Sequence, residues 1–180
     1  MLGGSLLGIC CTLSELRINI SRLSEGAHSY DFETEPKNLD LDGRFIAIVF
    51  VRASLEKTGR QIRLKADLRA TGKFTCDRCL DEFEQSLRTH YEIVYITDQE
   101  GISGGAEGEI QTISADTTML DLGEDVRQFL ILSVPQKLLC NDECQGLCPV
   151  CGSNRNRVHC ECQKNEVDPR WEALKKMSLN

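Results

Sequence analysis

QIRLKADLRA, residues 61–70, alternates without a slip: Ile62, Leu64, Ala66 and Leu68 fall on one side, Arg63, Lys65, Asp67 and Arg69 on the other. A period of two places each set on one face of an extended chain, so this is an antiparallel strand with one face on a core and one in water. Upstream lies FIAIVFVRASL, residues 45–55, rich in β-branched and aromatic side chains. Such a run predicts a central strand buried on both faces. The turn sequence Lys57-Thr58-Gly59-Arg60 between the two runs makes them a hairpin.

Working outward, residues 14–34 read as two short strands around Glu25-Gly26, with Leu16, Ile18 and Ile20 on one face and Tyr30 and Phe32 on another. A further strand is predicted over 87–97, where Tyr91, Ile93 and Tyr95 oppose Val94 and Ile96. Residues 101–108 carry four glycines and little apolar content, the composition of a mobile loop. A helix is predicted over 121–133, with Asp121 as N-cap, Glu124 three residues on, and Leu122, Val126, Phe129 and Leu130 at helical spacing before Pro135. A last short helix begins at Asp168 with Pro169 in its first position and carries Trp171, Leu174 and Met177. The organisation expected is a leader over 1–12, a β domain over 13–139, a cysteine-rich module over 140–165 and a helical tail over 166–180. The fold class is α+β: a mainly antiparallel sheet, open or closed toward a barrel, with one packed helix and a C-terminal zinc-binding segment.

The chain has 180 residues, enough for a true core, yet ten of them are cysteine. That usage needs a disulfide framework, a metal site or redox chemistry to account for it. No Lys or Arg precedes Arg17, so the start lacks the basic region of a secretory signal and residues 1–12 read as a disordered leader or an overcalled start. No apolar run reaches the length of a membrane span. These features place the chain in the cytoplasm, where clustered thiols stay reduced and hold metal.

Eight of the cysteines form close pairs: Cys76 and Cys79, Cys140 and Cys144, Cys148 and Cys151, and Cys160 and Cys162. Eight thiolates make two closed tetrahedra for structural zinc, one or two ions in all. CPVCG is a strong knuckle, in which Pro149 stiffens the turn and Gly152 tolerates a positive φ. Any two pairs can share an ion, and proximity favours Cys148, Cys151, Cys160 and Cys162 for one site and Cys76, Cys79, Cys140 and Cys144 for the other. The single residue between Cys160 and Cys162 makes that pair the weak point, with His159 as a substitute ligand. The competing use of Cys76 and Cys79 is dithiol exchange, but no helix pattern follows them to lower a thiol pKa. No GxSxG, phosphate-cradling glycine loop or HExxH occurs, so no catalytic constellation assembles and the expectation is a protein that is not an enzyme.

The formal charge of −7 argues against gripping nucleic acid by phosphates alone, and filling two four-cysteine sites with divalent ions would take it to −11. From Glu92 to Asp125 there are nine acids and no Lys or Arg: a solvated loop, or a surface for a basic partner such as a ribosomal protein. Basic residues collect in two places. Arg63, Lys65 and Arg69 line the wet face of the alternating strand, and Arg155, Arg157, Arg170 and Lys175 lie near Trp171 in the tail. Either group is ordinary solvated surface or a contact for RNA or a ribosomal protein.

The combination of FTCDRCL (74–80), DLGEDVRQFLILSVPQKLLC (121–140), CQGLCPVCGSNRN (144–156) and DPRWEALKKM (168–177) resembles the YceD family of large ribosomal RNA subunit accumulation proteins. The resemblance runs from Leu16 to Met177. It implies a non-enzymatic role in accumulation of 23S ribosomal RNA and in assembly or stability of the large subunit, with a precursor particle as partner and no membrane or small-molecule substrate. Cys76 and Cys79 match the family's CxRC position, and Cys140, Cys144, Cys148 and Cys151 its later cluster, which some members lack. Where the family usually reads GxNLN this chain has GSNRN, placing Arg155 at a commonly apolar position. Two other classes stay open: a dithiol redox protein, and an adaptor that binds proteins and no RNA.

Overall fold

A computed structural model describes residues 16–97 and 109–162. By their internal contacts they form two compact units: one made of residues up to 74 together with 84–136, the other of 75–83 together with 137 onward.

The first unit is built on a five-stranded sheet, ordered β2 (Gly26–Thr34), β3 (Val49–Thr58), β4 (Gln61–Thr75), β5 (Glu82–Ile96), β6 (Glu109–Thr112). β2 and β4 run antiparallel to β3, and β6 lies parallel to β5. Its end strands β2 and β6 are not neighbours, so the sheet stays open and the barrel option falls away. A second, two-stranded sheet pairs β1 (Arg17–Asn19) with β7 (Met119–Asp121).

The alternation of 61–70 holds: Ile62, Leu64, Ala66, Leu68, Ala70 and Phe74 are buried in β4 and the intervening side chains are wet. The β3–β4 hairpin closes through Gly59 and Arg60, with Thr58 opposite Gln61 and Gly59 at φ +54°. That left-handed turn costs glycine nothing. β4 then runs five residues past the expected end, because Gly72 leaves the space into which the Phe74 ring folds; a Cβ at 72 would collide with it.

The run 45–55 differs from expectation. It is central, between β2 and β4, but the strand begins only at Val49 and buries one face: Val49, Val51, Ala53 and Leu55 are inside. Phe45 makes an isolated bridge to Gly72. Ile46, Ile48 and Phe50, at odds with the reading as doubly buried, are 45%, 46% and 48% exposed.

The helix is α1 (Gly123–Leu132), shorter than the expected 121–133. Asp121 ends β7 rather than capping the helix. Its carboxylate accepts the Gly123 N–H at 2.9 Å and the Arg17 Nε at 2.9 Å, while Leu122 occupies the cap position without a side-chain bond. Glu124 and Asp125 still favour the helix by meeting its positive N-terminal end. Val126 and Leu130 are buried, and Phe129 stacks on Tyr91 at 4.6 Å between ring centroids.

The acidic stretch 92–125 is therefore mostly regular structure where it is described. Glu92 pairs with Arg63 at 3.0 Å and Lys65 at 3.4 Å, Asp121 with Arg17, and Glu124 with Arg127 at 3.5 Å. The loop expected at 101–108, the leader 1–12 and the helix from Asp168 lie outside the described residues.

Candidate metal centres

Both cysteine groups belong to the second unit. Cys76, Cys79, Cys140 and Cys144 form one, Cys148, Cys151, Cys160 and Cys162 the other, and within each the sulfurs all lie within 4.8 Å of one another. These are the two sets that proximity along the chain favours. All eight are free thiols. In the first group the Cys76–Cys144 and Cys79–Cys140 sulfur pairs are each 3.7 Å apart. A disulfide would bring them to about 2.05 Å. Four sulfurs each about 2.3 Å from a central ion form a tetrahedron with edges of about 3.8 Å, so the arrangement fits a closed tetrahedral metal site.

Local backbone explains how two distant pairs present their sulfurs this way. In CDRCL the Leu80 N–H donates to the Cys76 carbonyl at 2.9 Å, and in CPVCG the Gly152 N–H donates to the Cys148 carbonyl at the same distance. Both knuckles then turn through a left-handed residue, Leu80 at φ +62° and Gly152 at φ +72°. The first glycine of the run 144–152, Gly146, is also left-handed at φ +70°, and a Cβ there would come within 3.0 Å of the Arg78 carbonyl oxygen. That carbonyl accepts the Leu147 N–H at 3.0 Å, and the Arg78 guanidinium donates to the Cys144 carbonyl at 2.9 Å. One arginine so ties the first knuckle to the CQGLC segment from both its ends.

The thiols are unequal before any ion binds. Burial opposes ionisation of Cys76, but N–H groups of Cys140, Cys79 and Arg78 directed at its sulfur bring it down to about 6. Burial, together with hydrogen bonds to the neighbouring thiols, pushes Cys140 up to about 12. The second group repeats the contrast: the Ser153 hydroxyl, 2.6 Å away, and then its N–H lower Cys151 to about 6, while sharing with Cys151 raises Cys162 to about 12. Four adjacent thiols cannot all ionise on their own; a divalent cation removes that limit.

Three polar side chains that sequence reasoning missed support the centres. Asn156 donates to the Cys144 sulfur at 3.2 Å and accepts the Gln145 N–H at 2.8 Å. Asp81 accepts from Asn154 at 2.8 Å and pairs with Arg157 at 3.1 Å. The only signal available was the Asn-Arg-Asn spacing, typical of side chains that bond their own backbone two residues on; Asn154 does this to the Asn156 N–H at 2.9 Å.

The other expected site residues are dispersed. His159 is exposed and belongs to neither group. Arg63 and Lys65 are held by Glu92, Arg69 remains on the outer sheet face, Arg155 is exposed, and Arg157 is engaged by Asp81. Arg170, Trp171 and Lys175 lie outside the described residues. Among the described residues no helix is long and apolar enough to cross a membrane.

The family model described as large ribosomal RNA subunit accumulation protein YceD matches residues 64–178. The chain belongs to the YceD family. Two plant relatives carry that description as chloroplastic YCED homologue 1: one from Arabidopsis thaliana, 21% identical over 70% of this chain and 47% of its own length, and one from Zea mays, 24% identical over 65% and 50%. This chain thus spans about half the length of those two curated relatives. A third, the uncharacterized protein YlbN of Bacillus subtilis (strain 168), is 24% identical over 83% of this chain and 88% of its own length. No solved structure matches. The matched stretch of this YceD-family chain includes all eight paired cysteines.

Proposed function

We propose that this chain is a non-enzymatic, zinc-ordered factor that supports accumulation of 23S ribosomal RNA and assembly or stability of the large ribosomal subunit. The observation that carries the zinc part is the pair of four-thiolate groups, one with 3.7 Å sulfur edges. Tetrahedral S4 donors suit zinc, with iron as the competing occupant. A set of four cysteines leaves no open position for substrate, so the ion's role is to hold the fold. The ribosomal part rests on family membership and on the names its relatives carry.

Two observations weigh against the competing readings. A dithiol catalyst needs an accessible thiolate, and Cys76 and Cys79 are buried. An acidic capture surface needs free carboxylates, and of the nine acids in 92–125 three, Glu92, Asp121 and Glu124, already have cationic partners. The test is depletion of the protein in its own cell, reading the 23S to 16S ratio. A fall restored by the wild-type chain but not by Cys76→Ser is the expected outcome; an unchanged ratio refutes the role. Elemental analysis of purified protein should give two zinc ions per chain.

A further inference from the structure

The outer face of the five-stranded sheet carries a groove of about 840 Å3 that neither metal group explains. Its floor includes Ile48 and Phe50, two of the three apolar side chains left uncovered in the run 46–50 at the start of β3. Its walls carry charges of both signs, and they are not equally engaged. Arg52 bonds Asp31 at 2.8 Å, while Asp67, opposite Arg52 across the β3–β4 ladder, has no ion pair among the described residues. The third acid, Glu33, has a partner of its own. Among the described residues the guanidiniums of Arg69 and Arg88 have no ion pair or hydrogen bond, and both line the groove. Arg69 is directly opposite Phe50 in the ladder.

The unpaired charges of the groove, Arg69 and Arg88 against Asp67, thus favour the cationic side although the whole chain is anionic, and the two guanidiniums flank an exposed aromatic ring. A protein surface of that kind suits single-stranded nucleic acid: a base stacks on the ring and adjoining phosphates take the guanidiniums. A duplex would offer no unstacked base to Phe50. We infer that this groove binds a short unpaired segment of RNA, with Phe50 as the stacking platform and Arg69 and Arg88 as phosphate contacts. The inference rests on the ribosomal RNA reading above and names the surface through which that reading would act.

The test is fluorescence anisotropy with the full zinc-loaded chain and a labelled 12-nucleotide single-stranded RNA of mixed sequence, over a salt series. Phe50→Ala should weaken binding about tenfold or more. Arg69→Ala with Arg88→Ala should flatten the log–log salt dependence by about 1.4, two phosphates' worth for a single strand. All three residues are on the wet face, and thermal melts confirm that the variants fold. Arg127→Ala, on the helix, should bind as the unaltered chain does. Unchanged binding by the groove variants overturns the groove while leaving the ribosomal reading intact, because 23S levels are measured independently. Absence of binding by the unaltered chain overturns it too. A photocrosslinker placed at position 50 in cells should yield RNA adducts; protein adducts alone would mean that a peptide occupies the groove instead.

Discussion

The sheet unit and the cysteine unit exclude water with different materials. Inside the first, Val49, Val51, Leu55, Leu64, Leu68 and Ile93 are each 1% exposed or less, a packed hydrocarbon interior made by strands that alternate. In the second, the buried side chains among the described residues are Cys76, Cys79, Cys144 and Cys148, with Phe83 and Leu139 only leaning against them. Hydrocarbon burial is favourable in any reduced or oxidised, metal-rich or metal-poor solution. Four apposed thiolates are favourable only when an ion draws their charges together. On the proposed reading the first unit carries its stability in its sequence, and the second borrows it from the medium.

Stripping the metal is the harshest way to test that contrast. A strong chelator should abolish amide protection in 75–83 and 137–162 while the β3 and β4 amides stay protected; loss of protection in both units would break the distinction. Acid should act in the same direction. Cys76 and Cys151, lowered to about 6, keep their thiolates at neutral pH, and both regain protons as the pH falls through that value. Cys140 and Cys162, raised to about 12, must shed protons to bind at all, so affinity should rise with pH and fall more steeply once the pH drops below about 6. Metal content after gel filtration at stepped pH reads this out.

The converse variant attacks the hydrocarbon unit. Leu64→Ala, at a fully buried position, should cost about 2–5 kcal/mol in denaturant unfolding of the sheet and leave metal stoichiometry at its wild-type value. Asn156→Ala removes the donor to the Cys144 sulfur and should weaken one of the two metal affinities about 10- to 100-fold in chelator competition, leaving the other unchanged. The smallest effect is a gain. Leu80 holds the left-handed position that Gly152 fills in the other knuckle, and it does so exposed. Leu80→Gly should stabilise the second unit by about 0.5–1 kcal/mol, the left-handed strain less glycine's greater chain entropy; destabilisation would show that Leu80 packs against something outside the described residues.

These two materials were also unequally visible in the sequence. Alternation in 61–70 located β4, its hairpin partner and the turn, because a period of two admits one register. The pairing of cysteines followed from chain proximity. What escaped were elements without enough residues to show a period: β6 is four residues and β7 three. The first third of β5, Glu82–Ser86, was hidden because its inward residues Phe83 and Gln85 are only half-buried. The doubly apolar pattern at 46–50 was read correctly as a pattern and wrongly as burial, since a sequence does not say whether the second face meets its own chain or a ligand. Asp81, Asn154 and Asn156 gave no warning because polar residues in a loop look alike until their partners are known.

The first cysteine group also has a history that its final geometry conceals. Cys79 and Cys140 are 61 residues apart. At about 5–20 residues per second of synthesis, the first knuckle is made and then waits about 3–12 s before its partners exist. The other group is complete within the fifteen residues from Cys148 to Cys162. During the interval the nascent chain carries two adjacent thiols with nothing to complete them, exposed to oxidants and to stray metal. Oxidation of that early pair would forestall the later closure, so a chain made under oxidising conditions should carry less metal at this group than at the other.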